Sequence, residues 1–148
     1  MSADALSAAE AHVNTVADRA VRGIGGALIV VAAVEAALLE CFLLPSWIAG
    51  VPVPVSIPAA MAGNIVLPVL ARRVTGSRVV AALPVLAWLV VVFVAAVPRA
   101  EGDLIVTGTL RGMAFLLLGA LAGAYGVVRA VITPPPVPVA LDQGALVR

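Results

Sequence analysis

The sequence predicts an all-α integral membrane protein, a four-helix transmembrane bundle with both termini on the cytoplasmic side, and three observations carry that expectation. The first is composition. Of 148 residues, 63% are hydrophobic and 11% charged, and the mean hydropathy is +1.16; a soluble domain is about half apolar and a quarter charged. The second is four apolar runs, each long enough at about 20 residues to cross a hydrocarbon core of roughly 30 Å. The third is the arginine distribution. All nine basic residues are Arg. Arg19, Arg22, Arg72, Arg73, Arg78, Arg129 and Arg148 fall on one side of that topology, and Arg99 and Arg111 on the other. An excess of Arg in short loops marks the cytoplasmic side.

Residues 1–22 form a polar, Ala-rich cytoplasmic segment, with Leu6, Ala9, Val13, Val16 and Ala20 at helical spacing. That spacing fits a weakly amphipathic helix on the membrane face or on a partner. A fraying tail fits it equally. His12, the sole histidine, reads as a solvated side chain. The leader exceeds 20 residues and the apolar run after it is longer than a signal-peptide core, so the segment reads as preceding an uncleaved first span.

The transmembrane domain, residues 23–132, is expected to hold spans at about 23–44, 53–71, 79–97 and 109–132. A short uncharged turn with Trp47 at headgroup level joins the first two. The second span carries Pro58 and Pro68, which free backbone carbonyls and bend a membrane helix, and it holds Asn64. The third carries Pro84 and Trp88. A loop with Arg99, Glu101, Gly102 and Asp103 precedes the fourth. Residues 133–148 form a Pro-rich cytoplasmic tail whose Thr133–Val139 stretch reads as a stiff polyproline spacer. The single Cys41 excludes an intrachain disulfide and a cysteine metal cluster.

Three groups of residues could carry chemistry. Glu40 closes the first span near a helix C-terminus and Arg111 opens the fourth near a helix N-terminus, so each charge opposes its own helix dipole. Either they form an intramembrane ion pair or each snorkels to headgroups. Glu35 lies near the midplane, where a charged side chain costs at least ~2.5 kcal/mol. With Asn64 it is either a neutral, hydrogen-bonded acid or a proton or ion site. Glu35 and Glu40 stand five residues, or roughly 140°, apart on a helix and do not make one carboxylate pair. Gly108, Gly112, Gly119, Gly123 and Gly126 give the fourth helix a small-residue packing face, matched by Gly25, Gly26, Ala33 and Ala37 on the first. Glu101 and Asp103 are too few to specify a metal, and no metal site or cofactor is expected. No metalloprotease, serine-hydrolase or phosphate-loop signature occurs, and no basic–aromatic cluster points to nucleic acid.

Asn64 before Leu67-Pro68, then Gly76-Ser77-Arg78, Pro84, Trp88, Glu101-Gly102-Asp103, Gly108 and Gly112, resemble a family of small actinobacterial four-span membrane proteins with no assigned function. The resemblance implies the bacterial inner membrane and carries over no site residue. Small multidrug resistance transporters share the span count and a lone acid in the first span, here Glu35. They surround that acid with aromatic residues, as cation recognition favours, and the first span here offers only Phe42. The expected role is a non-enzymatic accessory or scaffold subunit that docks through glycine-rich helix faces onto a larger membrane-protein partner or a second copy. The alternative is a small proton-coupled transporter using Glu35. A periplasm-active reporter fused after residue 75 is expected to be silent, and robust activity there overturns the topology.

Overall fold

A computed structural model describes residues 3–44, 47–48, 51–52, 55–97 and 109–133. The described residues form four α-helices and a two-residue antiparallel ribbon. These are α1 (Ala3–Leu43), β1 (Trp47–Ile48), β2 (Val51–Pro52), α2 (Ser56–Thr75), α3 (Leu83–Ala96) and α4 (Leu110–Ile132), with a 3-10 turn, Val80–Ala82, leading into α3. The ribbon pairs Trp47 with Pro52 and Ile48 with Val51. Three of the helices are long and apolar enough to cross a membrane: His12–Leu43 of α1, α2 and α4. Val80–Ala96 is a shorter apolar helix, roughly 26 Å long at helical rises. Glu101 and Asp103 of the loop before α4, Gly108, the Pro-rich tail beyond Thr133 and the side chain of Trp47 lie outside the described residues.

Leader and first span, read as separate segments from the sequence, are one unbroken helix of 41 residues. No proline interrupts Ala3–Leu43, and the glycines at the junction are repaid by packing. Each Gly inside a helix costs about 1 kcal/mol relative to Ala. Gly25 lies so close to α2 that a Cβ there would meet Val74 Cγ1 at 2.6 Å, and one on Gly26 would meet Thr75 Cγ2 at 3.0 Å. Arg22 reaches the turn after α2, where its Nη1 would lie 3.2 Å from a Cβ on Gly76. Before that level His12–Val21 is exposed, so this length of α1, about 15 Å at 1.5 Å per residue, runs clear of the other described helices.

Helix α2 starts later and ends later than its hydrophobicity suggests. Pro58 falls in the first turn, where a missing N–H is no loss, so it does not break the helix. The C-terminus runs through Arg72 and Arg73, whose charges suit that end of the dipole. It stops at Gly76, in the left-handed region at φ 70°, where the Gly76 N–H donates to Arg72 O at 2.9 Å. A side chain at that φ is strained, so glycine is the natural stop. At the head of α4, Thr109 Oγ1 accepts from Gly112 N at 3.3 Å and caps the helix.

Contacts between helices give their directions. Gly25 meets Val74 while Glu40 meets Gly63, so α1 and α2 are antiparallel. Gly119 meets Trp88 while Gly123 meets Val85, so α3 and α4 are antiparallel. Ile65 borders Gly126, and Arg73 borders Arg129, so α2 and α4 run parallel. The broadest contact is between α2 and α4, and α1 packs on α2 and α3.

Pro68 makes the α2–α4 contact possible. Proline has no N–H, so the carbonyl of Asn64 four residues earlier loses its helical donor. Gly126 packs directly against that oxygen, and a Cβ there would also sit 2.9 Å from Ile65 Cα. The close approach brings a backbone Cα–H to the freed oxygen, a weak donor but the one that fits. Gly126→Ala is therefore expected to destabilise the bundle by about 1–3 kcal/mol, as overpacking does. Gly23→Ala, with nothing within 4 Å among the described residues, is expected to be neutral or slightly stabilising. Thermal unfolding in detergent compares them, and equal melting would contradict the packing described.

Candidate functional site in the helix interior

The inner face of α1 follows the 3.6-residue period: Ile29, Ala33, Ala37, Cys41 and Leu44 are buried. Glu40 lies beside Cys41 on that face and is only 5% exposed. Glu35 stands two residues from both Ala33 and Ala37, about 200° round the helix, and is exposed. The two acids therefore have opposite surroundings.

Glu40 Oε2 accepts a 2.7 Å hydrogen bond from Trp88 Nε1. Trp88 supplies the sole polar side-chain atom of α3, since every other residue from Leu83 to Ala96 is apolar. A buried indole N–H needs an acceptor, and Glu40 is that acceptor. Oε1 faces α2, where a Cβ on Gly63 would be 3.7 Å away. The indole packs against Phe115 of α4, with centroids 5.5 Å apart and planes at 54°. It also covers Gly119, where a Cβ would approach Cζ2 to 2.6 Å. Ala37, Cys41, Leu44, Ala60, Val92 and Ala95 enclose the group. All four helices thus meet around one carboxyl–indole pair.

Asn64 forms the second polar contact. It is 2% exposed, and its Nδ2 donates to Gly119 O at 3.1 Å. Gly119 therefore takes the indole on one side and the amide on the other.

These geometries differ from the pairings drawn from sequence. The expectation joined Glu35 to Asn64, but Glu35 is exposed on α1 while Asn64 is buried and bonded to α4. It also joined Glu40 to Arg111, but the Glu40 carboxyl is bonded to Trp88. Arg111 is half-buried in the first turn of α4. Among the described residues, the ion pair present is Arg22 Nε to Asp18 Oδ2, 2.8 Å, on the exposed length of α1. The glycine face of α4 is turned inward: Gly112, Gly119, Gly123 and Gly126 are all buried, and the last three pack on Trp88, Val85 and Asn64 of the same chain.

Sequence reasoning missed Trp88 as a site residue, treating it as a landmark of the third span. The signal was available, because a lone N–H in an apolar helix requires an acceptor at matching depth. Among the described residues, no three His, Cys, Asp or Glu side chains converge as metal ligands would. The arrangement ties α1, α3 and α4 together through one buried carboxyl and one indole.

The fold and these contacts define an all-helical chain with three helices able to cross a membrane. No family model, curated protein or solved structure matches it.

Trp88→Phe keeps the ring stack and removes the donor, leaving a buried carboxyl oxygen unpaired. The expected loss is about 1–3 kcal/mol. Glu40→Gln, whose amide oxygen still accepts, should cost less. The pair Trp88→Phe with Glu40→Leu should cost less than the sum of its single changes. Unfolding of the four variants in detergent measures this, and strict additivity would show that the bond contributes no coupling.

Proposed function

We propose that this chain is a bacterial inner-membrane protein with four spans and both termini in the cytoplasm, acting as a non-enzymatic accessory subunit of a larger membrane assembly. The arginine asymmetry supports the orientation, and the apolar length of Val80–Ala96 supports a fourth, slightly short span. The observation that carries the docking role is the position of Glu35. It stands midway along the apolar part of α1 among exposed Leu28, Val31, Leu38, Leu39 and Phe42, which are the positions three, four and seven residues away on its own face. In a bilayer that stripe faces lipid, and an acid there costs at least ~2.5 kcal/mol. A partner helix offering a donor or a cation at the same depth removes that cost.

The glycine surface of α4 is already occupied within the bundle. The docking surface of this reading is therefore the Glu35 stripe of α1, and the partner is another membrane-embedded helix.

A photo-crosslinking residue at Leu39, followed by purification from the native membrane and mass spectrometry, tests the proposal. The expected product is one stoichiometric larger partner, absent when the crosslinker replaces exposed Val90 on α3 and reduced at least about tenfold by Glu35→Leu. Crosslinks only to a second copy would make the assembly a homo-oligomer. A chain that purifies alone, and releases protons from Glu35 when substrates are added, would fit a small proton-coupled transporter instead.

A further inference from the structure

We infer that the cleft between the C-terminal halves of α2 and α4 binds one anionic phospholipid, its headgroup between Arg73 and Arg129 and an acyl chain along Val66, Val69 and Leu70. The cleft has a volume of about 320 Å³, at the lower end of the range of small-molecule sites. Its composition changes along its length. Val66, Val69 and Leu70 line the part level with the apolar body of the helices, and Arg73, Arg129 and Thr133 line its mouth. This is the polarity gradient of a phospholipid, with charge at one end and hydrocarbon below.

The charge is also of one sign. Because α2 and α4 run parallel, their last-turn arginines arrive at the same end of the bundle. Among the described residues no carboxylate lines the cleft, and neither arginine joins the ion pair found among them. Helix C-termini ordinarily repel an anion, but one carbonyl in the last turn of each helix already accepts hydrogen bonds from its own chain. Arg129 O accepts from Thr133 N at 3.0 Å and from Thr133 Oγ1 at 2.7 Å, and Arg72 O accepts from Gly76 N. The two guanidinium groups are left to meet the phosphate, a geometry that arginine serves well. Basic pockets between membrane helices bind anionic headgroups for the same reason. The inference requires only that the chain lie in a bilayer; it does not rest on docking at Glu35, which is on α1.

The test is native mass spectrometry of the full chain in mild detergent, offered phosphatidylglycerol or phosphatidylcholine with identical acyl chains. Each arginine near a headgroup is worth about fivefold, so wild type should retain one phosphatidylglycerol with a preference of about tenfold or more. Arg73→Gln with Arg129→Gln should reduce the preference to about onefold, and Arg73→Lys with Arg129→Lys should keep part of it. Arg22→Gln, at the same end but outside the cleft, should leave it unchanged. Circular-dichroism melting verifies that each variant is folded, and the Lys pair and Arg22→Gln still decide the matter if the Gln pair unfolds. Equal retention of the two lipids by wild type overturns the inference. So does equal loss in Arg22→Gln, complete loss in the Lys pair, or displacement of the lipid by millimolar glycerol phosphate.

Discussion

A single hydrogen bond, Trp88 Nε1 to Glu40 Oε2, is the contact on which the arrangement of the helices depends. It places a carboxyl near the end of α1, where the helix dipole opposes it, and an indole N–H in a helix with no other polar side-chain atom. Either group buried alone would be destabilising. Together they satisfy each other, and the indole's bulk then determines what α4 must offer. Only a glycine at position 119 leaves room for the ring, and Phe115 one turn earlier supplies the tilted aromatic contact. One polar requirement thus propagates into the packing of three helices, while the other carboxyl oxygen faces Gly63 on α2.

The α2–α4 contact follows a different logic. Helices in lipid gain little from burying apolar surface against each other, because the surrounding tails are equally apolar. Close backbone approach and backbone hydrogen bonds matter more. Pro68 removes one donor and exposes the Asn64 carbonyl, Gly126 lets α4 come up against it, and the Asn64 side chain secures Gly119 two turns away. The proline that hydropathy presents as an interruption is part of what joins the two helices.

Much of this was legible from the residues. The fourth helix falls within a residue of the apolar run that predicted it, and so does the third once the Val80–Ala82 turn is counted with it, because hydrophobic length is a local property. The buried face of α1 could also have been extracted: Ala33, Ala37 and Cys41 define a stripe that includes Glu40 and excludes Glu35. The continuous α1 was harder. Three glycines and a change from polar to apolar look like a boundary, yet nothing in Ala3–Leu43 stops a helix sterically, and the packing of Gly25 and Gly26 on α2 restores what glycine costs. The extension of α2 to Thr75 came from a helix continuing through charged residues that suit its dipole, which a hydropathy boundary cuts short.

What the sequence by itself determined is the material: helices rather than strands, their number and approximate extent, an apolar character that three of them carry far enough to cross a membrane, and small residues on the faces that pack. These are sums over neighbouring residues and survive any arrangement of the elements. The partners of the polar groups were decided only by the tertiary structure. Depth along a span shows that Glu35, Glu40, Asn64 and Trp88 could meet something. Which of them meet depends on the rotation of each helix about its axis and on which helices are neighbours. A rotation of 140° separates an acid bonded to an indole from one facing outward, and that angle acquires meaning only once the other helices are in place.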